Sequence, residues 1–231
     1  MDLLVVKNVE QGIERTKEFL YEQVDRKTVL FLSGGKTPAA LYETLAKEQI
    51  ITPAAVALID ERFGEPMHDN SNELMIAKTG FLSYLEKQNI PFYSMLQADM
   101  TQEEAVAKYD QTVRDLFFKF PKSIGIVGIG TDGHIASIFP NTKDFTNPLF
   151  TEKSYDYVAG ASHPGDYGKR ITLTYAGLEL LDTFLVFVFG KEKKKALKAT
   201  LQPGPLAKIP ARFLSLPAIS KKTLFITDQK I

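Results

Sequence analysis

Four short runs in this chain are apolar throughout and end on glycine or acid. They are "TVLFLSG" (Thr28–Gly34), "AVALID" (Ala55–Asp60), "SIGIVGIG" (Ser123–Gly130) and "TFLVFVFG" (Thr183–Gly190). A strand with one wet face alternates apolar and polar residues. A strand apolar at every step is buried on both faces, the signature of a parallel sheet covered by helices. Amphipathic stretches separate the runs. The predicted fold is therefore α/β: a mostly parallel sheet with helices on both faces. The chain shows no internal repeat and no low-complexity linker, so residues 1–231 read as a single domain. Ligands of such sheets bind beyond the carboxyl ends of the strands. The loops after Leu32, Ile59, Val127 and Phe189 are predicted to gather on that edge.

The helices announce themselves by local chemistry. In "TPAALYETLAKE", Thr37 is the predicted N-cap and Pro38 the first helical residue, with Leu41, Leu45 and Ala46 on one face. Thr101 and Glu104 have the spacing of a capping box, and a helical period follows through Phe117. "RITLTYAGLELL" reads as a strand and then a helical turn. "KEKKKALKATL" is a Lys-rich helix, and "KTLFITD" a last strand.

Charge narrows the possible partners. Lys+Arg and Asp+Glu both number 28, so the net charge is zero. That argues against a nucleic-acid binder or a polybasic membrane anchor. No apolar run approaches the roughly 20 residues of a membrane span, and no leader pattern opens the chain. With no cysteine there is no disulfide, thiolate nucleophile or Cys-based zinc site. A cytoplasmic location is expected.

Within "IGIVGIGTDGHIASIFP" (Ile124–Pro140), Gly128, Gly130 and Gly133 satisfy G-x-G-x-x-G, the spelling of a dinucleotide turn. That turn needs a long helix behind it and an acid about 20 residues on, at the end of the next strand. Here the predicted helix runs only from His134 to Phe139 before Pro140-Asn141 breaks it. Glu152 has the distance but sits in a polar loop. The context fails the cofactor reading. A plain glycine-rich turn explains the glycines, but not Asp132 and His134 together. An imidazole at a strand end in a ligand cleft is a natural general base.

Other loops carry candidates of their own. "LSGGKTP" offers the hydroxyls of Ser33 and Thr37, the amides of Gly34 and Gly35, and a helix start. It lacks Walker spacing and suits a phosphomonoester better than a nucleotide; the plain alternative is a capped turn. "IDERF" places Asp60, Glu61 and Arg62 at a strand end. Its plain reading is a surface ion pair; functionally, Arg62 can stabilise an oxyanion and Asp60 can orient a base. Arg170, after "HPGDYGK", can fork onto a phosphate. Lys191 and Lys193–Lys195 are by default a solvated face, though the first turn after Gly190 is within reach of a phosphate. His68, His134 and His163 show no metal-ligand spacing, so no metal is expected.

Taken in order, "LSGGKTP", "IDERF" with "DNSN", "GIGTDGHIASIFP", "RITLT" and "GKEKKKA" make the chain resemble the 6-phosphogluconolactonases over nearly its full length. The wider superfamily includes glucosamine-6-phosphate deaminases with the same "DGHIA" core. The deaminases carry "DEY" where this chain has Asp60-Glu61-Arg62, and an acid in "DGHIAFNEP" where it has Phe139. Both departures favour lactone hydrolysis; the lactonases usually have Thr at the place of Ile135. The resemblance implies a Rossmann-like, NagB/RpiA-type fold and hydrolysis of 6-phospho-D-glucono-1,5-lactone without metal or organic cofactor. It implies His134 as general base, Asp132 and Asp60 shaping its hydrogen bonds, and Arg62 on the oxyanion. Ser33, Gly34, Gly35, Thr37, Arg170 and Lys193 are implied to hold the 6-phosphate. The implied partner is a small sugar phosphate, with no nucleic acid or membrane; monomer and dimer both stay open. A deaminase and a non-catalytic sugar-phosphate module are the alternatives.

Overall fold

The protein is described by a computed structural model covering residues 2–141, 156–163 and 167–231. Glu152, and Pro164 to Asp166 of "HPGDYGK", lie outside the described residues. The first elements are β1 (Asp2–Val5), α1 (Val9–Gln23), β2 (Thr28–Leu32), α2 (Lys36–Glu48), β3 (Ala55–Leu58) and β4 (Asp60–Arg62). Then come α3 (Asn72–Lys78), α4 (Phe81–Lys87), β5 (Phe92–Tyr93), α5 (Gln102–Lys119), β6 (Lys122–Gly128) and β7 (Val158–Ser162). The last are β8 (Lys169–Leu173), α6 (Tyr175–Glu179), β9 (Thr183–Val188), α7 (Lys194–Thr200), α8 (Pro217–Ser220) and β10 (Thr223–Thr227). Short 3₁₀ turns cover Lys191–Lys193 and Pro210–Ser215.

Seven strands form a sheet in the order β1-β10-β9-β6-β2-β3-β5, and every pairing in it is parallel. β2 and β3 are buried at every position, as their unbroken apolar runs require. Helices cover both faces. Phe117 of α5 stacks on Phe31 of β2, with ring centres 5.3 Å apart. Register carries the Phe31 face through Gly125 and Phe184 to Thr223. Gly12 of α1 lies against Ile226, three residues past Thr223 and so on the opposite face. Among the described residues, no helix is long and apolar enough to cross a membrane.

Three local expectations need correction. "AVALID" is not one strand: the chain leaves the parallel sheet after Leu58 and enters a second, antiparallel sheet, β4-β8-β7. Ile59 serves both, its N–H donating to Leu32 O at 2.9 Å and its carbonyl accepting from Leu173 N at 2.8 Å. "RITLT" is accordingly an antiparallel strand. Second, α2 begins at Lys36 behind Gly35, so Thr37 lies inside the first turn and caps nothing. Gly35 has φ +119°, a conformation that glycine enters and threonine resists. Third, His134 to Phe139 form no helix. They fold as consecutive turns tied by bridges Ile129–Ile135 and Ile135–Ile138. The capping box on α5 is present as predicted.

Candidate active site

β2 leads on to β3 on one side of the sheet, whereas β6 leads to β9 on the other. The connections therefore diverge between β2 and β6, and a crevice opens at their carboxyl ends. A cleft of about 450 Å³ lies there. Ser33, Gly34, Gly35, Thr37, Asp60, Arg62, His134 and Lys193 all line it. Asp132 and Arg170 are not among its lining residues.

The loop after β6 presents His134. Gly130 N–H donates to His134 O at 2.9 Å, and Gly133, at φ +87°, turns the chain back. His134 Nδ1 lies 2.7 Å from Asp132 Oδ1, and the same oxygen accepts the His134 N–H at 3.1 Å. The bond from His134 holds the Asp132 carboxyl down at about 2. An ionised carboxylate only accepts, so Nδ1 carries a proton, and in the neutral imidazole the lone pair is then on Nε2. Of Asp132 and Asp60, it is Asp132 that contacts His134. Asp60 instead accepts from Ser137 Oγ at 2.8 Å, fastening the far end of the same loop. Phe139 packs on the imidazole, ring centres 4.6 Å apart. A β carbon on Gly130 would sit 2.0 Å from His134 Nδ1, so this glycine makes room for the His134–Asp132 pair.

Arg62 is held from several sides. Its Nη1 donates to Asn70 O at 3.0 Å and Asn72 Oδ1 at 2.6 Å. Asn72 also donates from Nδ2 to Asp60 O at 2.8 Å. Its Oδ1 lies 2.0 Å from where a β carbon on Gly34 would stand, so the two loops fit only with glycine there. The surface ion pair expected as the plain reading of "IDERF" does not form. Glu61 is fully buried, and its carboxylate accepts from Arg62 N, Asn72 N, Glu73 N and Ser71 Oγ. It anchors the start of α3. Burial pushes its carboxyl up, opposed by those backbone donors. Asn72 had no role assigned from sequence, and Glu61 none beyond the ion pair; the Ser-Asn pair ahead of a short amphipathic run was the available signal.

Arg170 faces Arg62 across the β4–β8 ladder. Its Nε and Nη1 are buried and, among the described residues, have no hydrogen-bond partner. Burial lowers its pKa, and the neighbouring Arg62 charge adds to that. The structure thus places it beside Arg62 rather than among the residues lining the cleft.

The opposite lip suits an anion. α2 starts without a side-chain cap, leaving its first amides toward the cleft. Ser33 Oγ is buried and, among the described residues, has no hydrogen-bond partner. Lys193 lines the same space and donates to Ile129 O at 2.6 Å, linking the post-β9 turn to the His134 loop. Lys36, not singled out from sequence, lines it too.

A family model described as glucosamine-6-phosphate isomerases/6-phosphogluconolactonase matches residues 4–224. The 6-phosphogluconolactonase of Thermotoga maritima is 33% identical over 205 residues, 87% of this chain and 85% of that one. The chain belongs to the 6-phosphogluconolactonase family. Another member, from Xylella fastidiosa, is 32% identical over 175 residues, 74% of this chain and 71% of that one. The crystal structure of the Thermotoga maritima 6-phosphogluconolactonase superposes with TM-score 0.74 at 28% identity, covering 97% of each chain. A monomeric glucosamine-6-phosphate deaminase shares the fold, with TM-score 0.70 at 22% identity.

Proposed function

We propose that this cleft hydrolyses 6-phospho-D-glucono-1,5-lactone to 6-phosphogluconate, the second step of the oxidative pentose phosphate pathway. The observation that carries the reading is the His134–Asp132 pair: a carboxylate that only accepts puts the proton on Nδ1, so the neutral ring holds its lone pair on Nε2, on a residue that lines the cleft. Nε2 takes a proton from water as the water oxygen bonds to the lactone carbonyl carbon. Charge develops on the carbonyl oxygen, and Arg62 neutralises it. The tetrahedral centre collapses, the bond to the ring oxygen breaks, and that oxygen receives the proton held on Nε2. Asp132 stabilises the imidazolium in between. Asp60 keeps the His134 loop in place through Ser137. Ser33, Gly34, Gly35, Thr37 and Lys193 hold the 6-phosphate, whose binding positions the carbonyl. Arg170 adds positive field at the Arg62 end. The lactone is already activated and water is the nucleophile, so the scheme calls on no metal or organic cofactor.

Phe139 separates this reading from the deaminase one. The place packed against His134 carries a ring rather than an acid, so a second carboxylate for sugar-ring opening is missing there. The test is lactonase rate above spontaneous hydrolysis for wild type and His134→Ala. Losing a general base removes on the order of 10²-fold of that excess. Undiminished activity in His134→Ala, or ammonia release from glucosamine 6-phosphate by the wild type, refutes the proposal.

A further inference from the structure

We infer that His68, outside the cleft, is a positioning residue for Arg62. The inference rests on the role just proposed for Arg62. His68 Nε2 lies 2.9 Å from the Arg62 carbonyl, and Asn70 N–H donates to His68 Nδ1 at 3.2 Å. A carbonyl can only accept and an amide N–H can only donate, so both contacts select one tautomer, with the proton on Nε2. The circuit closes on Arg62 itself, whose Nη1 donates to Asn70 O at 3.0 Å. One imidazole and the backbone of one residue, Asn70, thus tie the backbone of Arg62 to its own guanidinium. The same Nη1 also donates to Asn72 Oδ1, so two acceptors fix this end of the guanidinium.

The surroundings are shaped to hold this ring. Gly64 lies against it: a β carbon there would stand 2.9 Å from His68 Cδ2. Tyr167 stacks on the ring, with ring centres 4.4 Å apart and planes 4° from parallel. Tyr167 precedes β8 by two residues, and β8 carries Arg170 opposite Arg62. The loop from Phe63 to Asn70 is largely solvent-facing, so packing alone does not set the guanidinium. The hydrogen-bonded circuit supplies what the core does not.

The test compares His68→Leu, which keeps bulk against Tyr167 but loses both bonds, with His68→Gln, which keeps an N–H within reach of the Arg62 carbonyl. Each is made in the wild-type and Arg62→Lys backgrounds. Lysine keeps the charge but lacks the planar guanidinium whose Nη1 Asn70 and Asn72 hold. In the wild-type background, His68→Leu is expected to lower kcat on the order of 10-fold, less than the roughly 10²-fold of a 1 Å misplacement. KM and the melting temperature should change little, and His68→Gln should retain most of the rate. In the Arg62→Lys background, His68→Leu should cause no further loss. If Leu unfolds the loop, His68→Ala takes its place in the same comparison. An equal fold-loss in both backgrounds, or full kcat in the wild-type background, overturns the inference. If Arg62→Lys itself leaves kcat intact, the oxyanion role of Arg62 is what has failed.

Discussion

Gly130→Ala and Gly128→Ala change two glycines two positions apart, with opposite expected results. Neither glycine has positive φ, so alanine meets no backbone penalty at either. At Gly128 a β carbon meets nothing within 4 Å. At Gly130 it meets His134 Nδ1 at 2.0 Å, His134 Cε1 at 2.2 Å and Asp132 Oδ1 at 2.5 Å. Ordinary contact begins at 3.4 Å, so the imidazole must retreat by about 1.4 Å. The retreat is open to it: the His134 and Asp132 side chains are 33% and 46% exposed, and the pair can swing toward solvent. Overpacking a closed core costs roughly 1–3 kcal/mol, and here most of that is relieved. The cost falls on geometry instead. A misplacement of about 1 Å is worth on the order of 10²-fold in rate, or about 2.7 kcal/mol of barrier. The assay is lactonase rate above buffer, with a melting curve on the same sample. Gly130→Ala should lose kcat by that factor while melting within a few degrees of wild type. Gly128→Ala should keep kcat and change KM at most, since its new methyl enters open cleft. Full kcat in Gly130→Ala would refute the claim that this glycine exists to seat the His134–Asp132 pair.

Further expectations concern the groups around that pair. Asp132→Asn offers Nδ1 an NH₂ as readily as an oxygen, so the tautomer is no longer fixed; kcat should fall on the order of 10²-fold, and ¹⁵N shifts of His134 should show the proton leaving Nδ1. The Asp132 carboxyl titrates near 2, so wild type keeps this bond through the neutral and mildly acidic range. Glu61 moves the other way: burial raises it above 4.5, so the folded state holds its proton longer than the unfolded chain. Stability therefore declines as pH climbs from 4.5 through the raised value, and Glu61→Gln should remove that share of the slope in a melting-temperature series. At neutral pH, Glu61→Gln turns an NH₂ toward four donors and should destabilise by about 1–3 kcal/mol. Lys193→Ala should raise KM by an order of magnitude or more with a smaller effect on kcat, and weaken competition by inorganic phosphate; a loss confined to kcat would assign the lysine to the His134 loop through Ile129 instead.

The parallel sheet was legible because burial on both faces leaves a one-sided pattern: Val29–Leu32 and Ala55–Leu58 have no polar step to misread. The second sheet was not. Its first strand begins directly after Ile59, inside a run that stays apolar up to Asp60. Ile59 is fully buried and hydrogen-bonds to both sheets, so no turn residue marks the change. β7, with glycine and alanine where a strand usually carries branched residues, gave no pattern either. Thr37 misled for a related reason. Threonine followed by proline is a strong helix-start signal, but Gly35 at φ +119° starts α2 earlier and leaves its end uncapped toward the cleft.

At the site, residue type was more legible than partnership. Arg62 and His134 were conspicuous as charged or titratable groups at strand ends. Glu61 was visible too, but as half of an ion pair, because sequence shows an acid beside a base and not four donors converging on a carboxylate. The G-x-G spelling shows the same limit. A pyrophosphate-binding turn and this loop share a geometric need: something must lie closer to the backbone at a strand end than a β carbon permits. In a dinucleotide fold that object is the cofactor. Here, at Gly130, it is the protein's own imidazole and carboxylate, while Gly128 leaves space in the cleft. The spacing of the glycines records that something approaches; only the contacts at 2.0 and 2.5 Å say what it is.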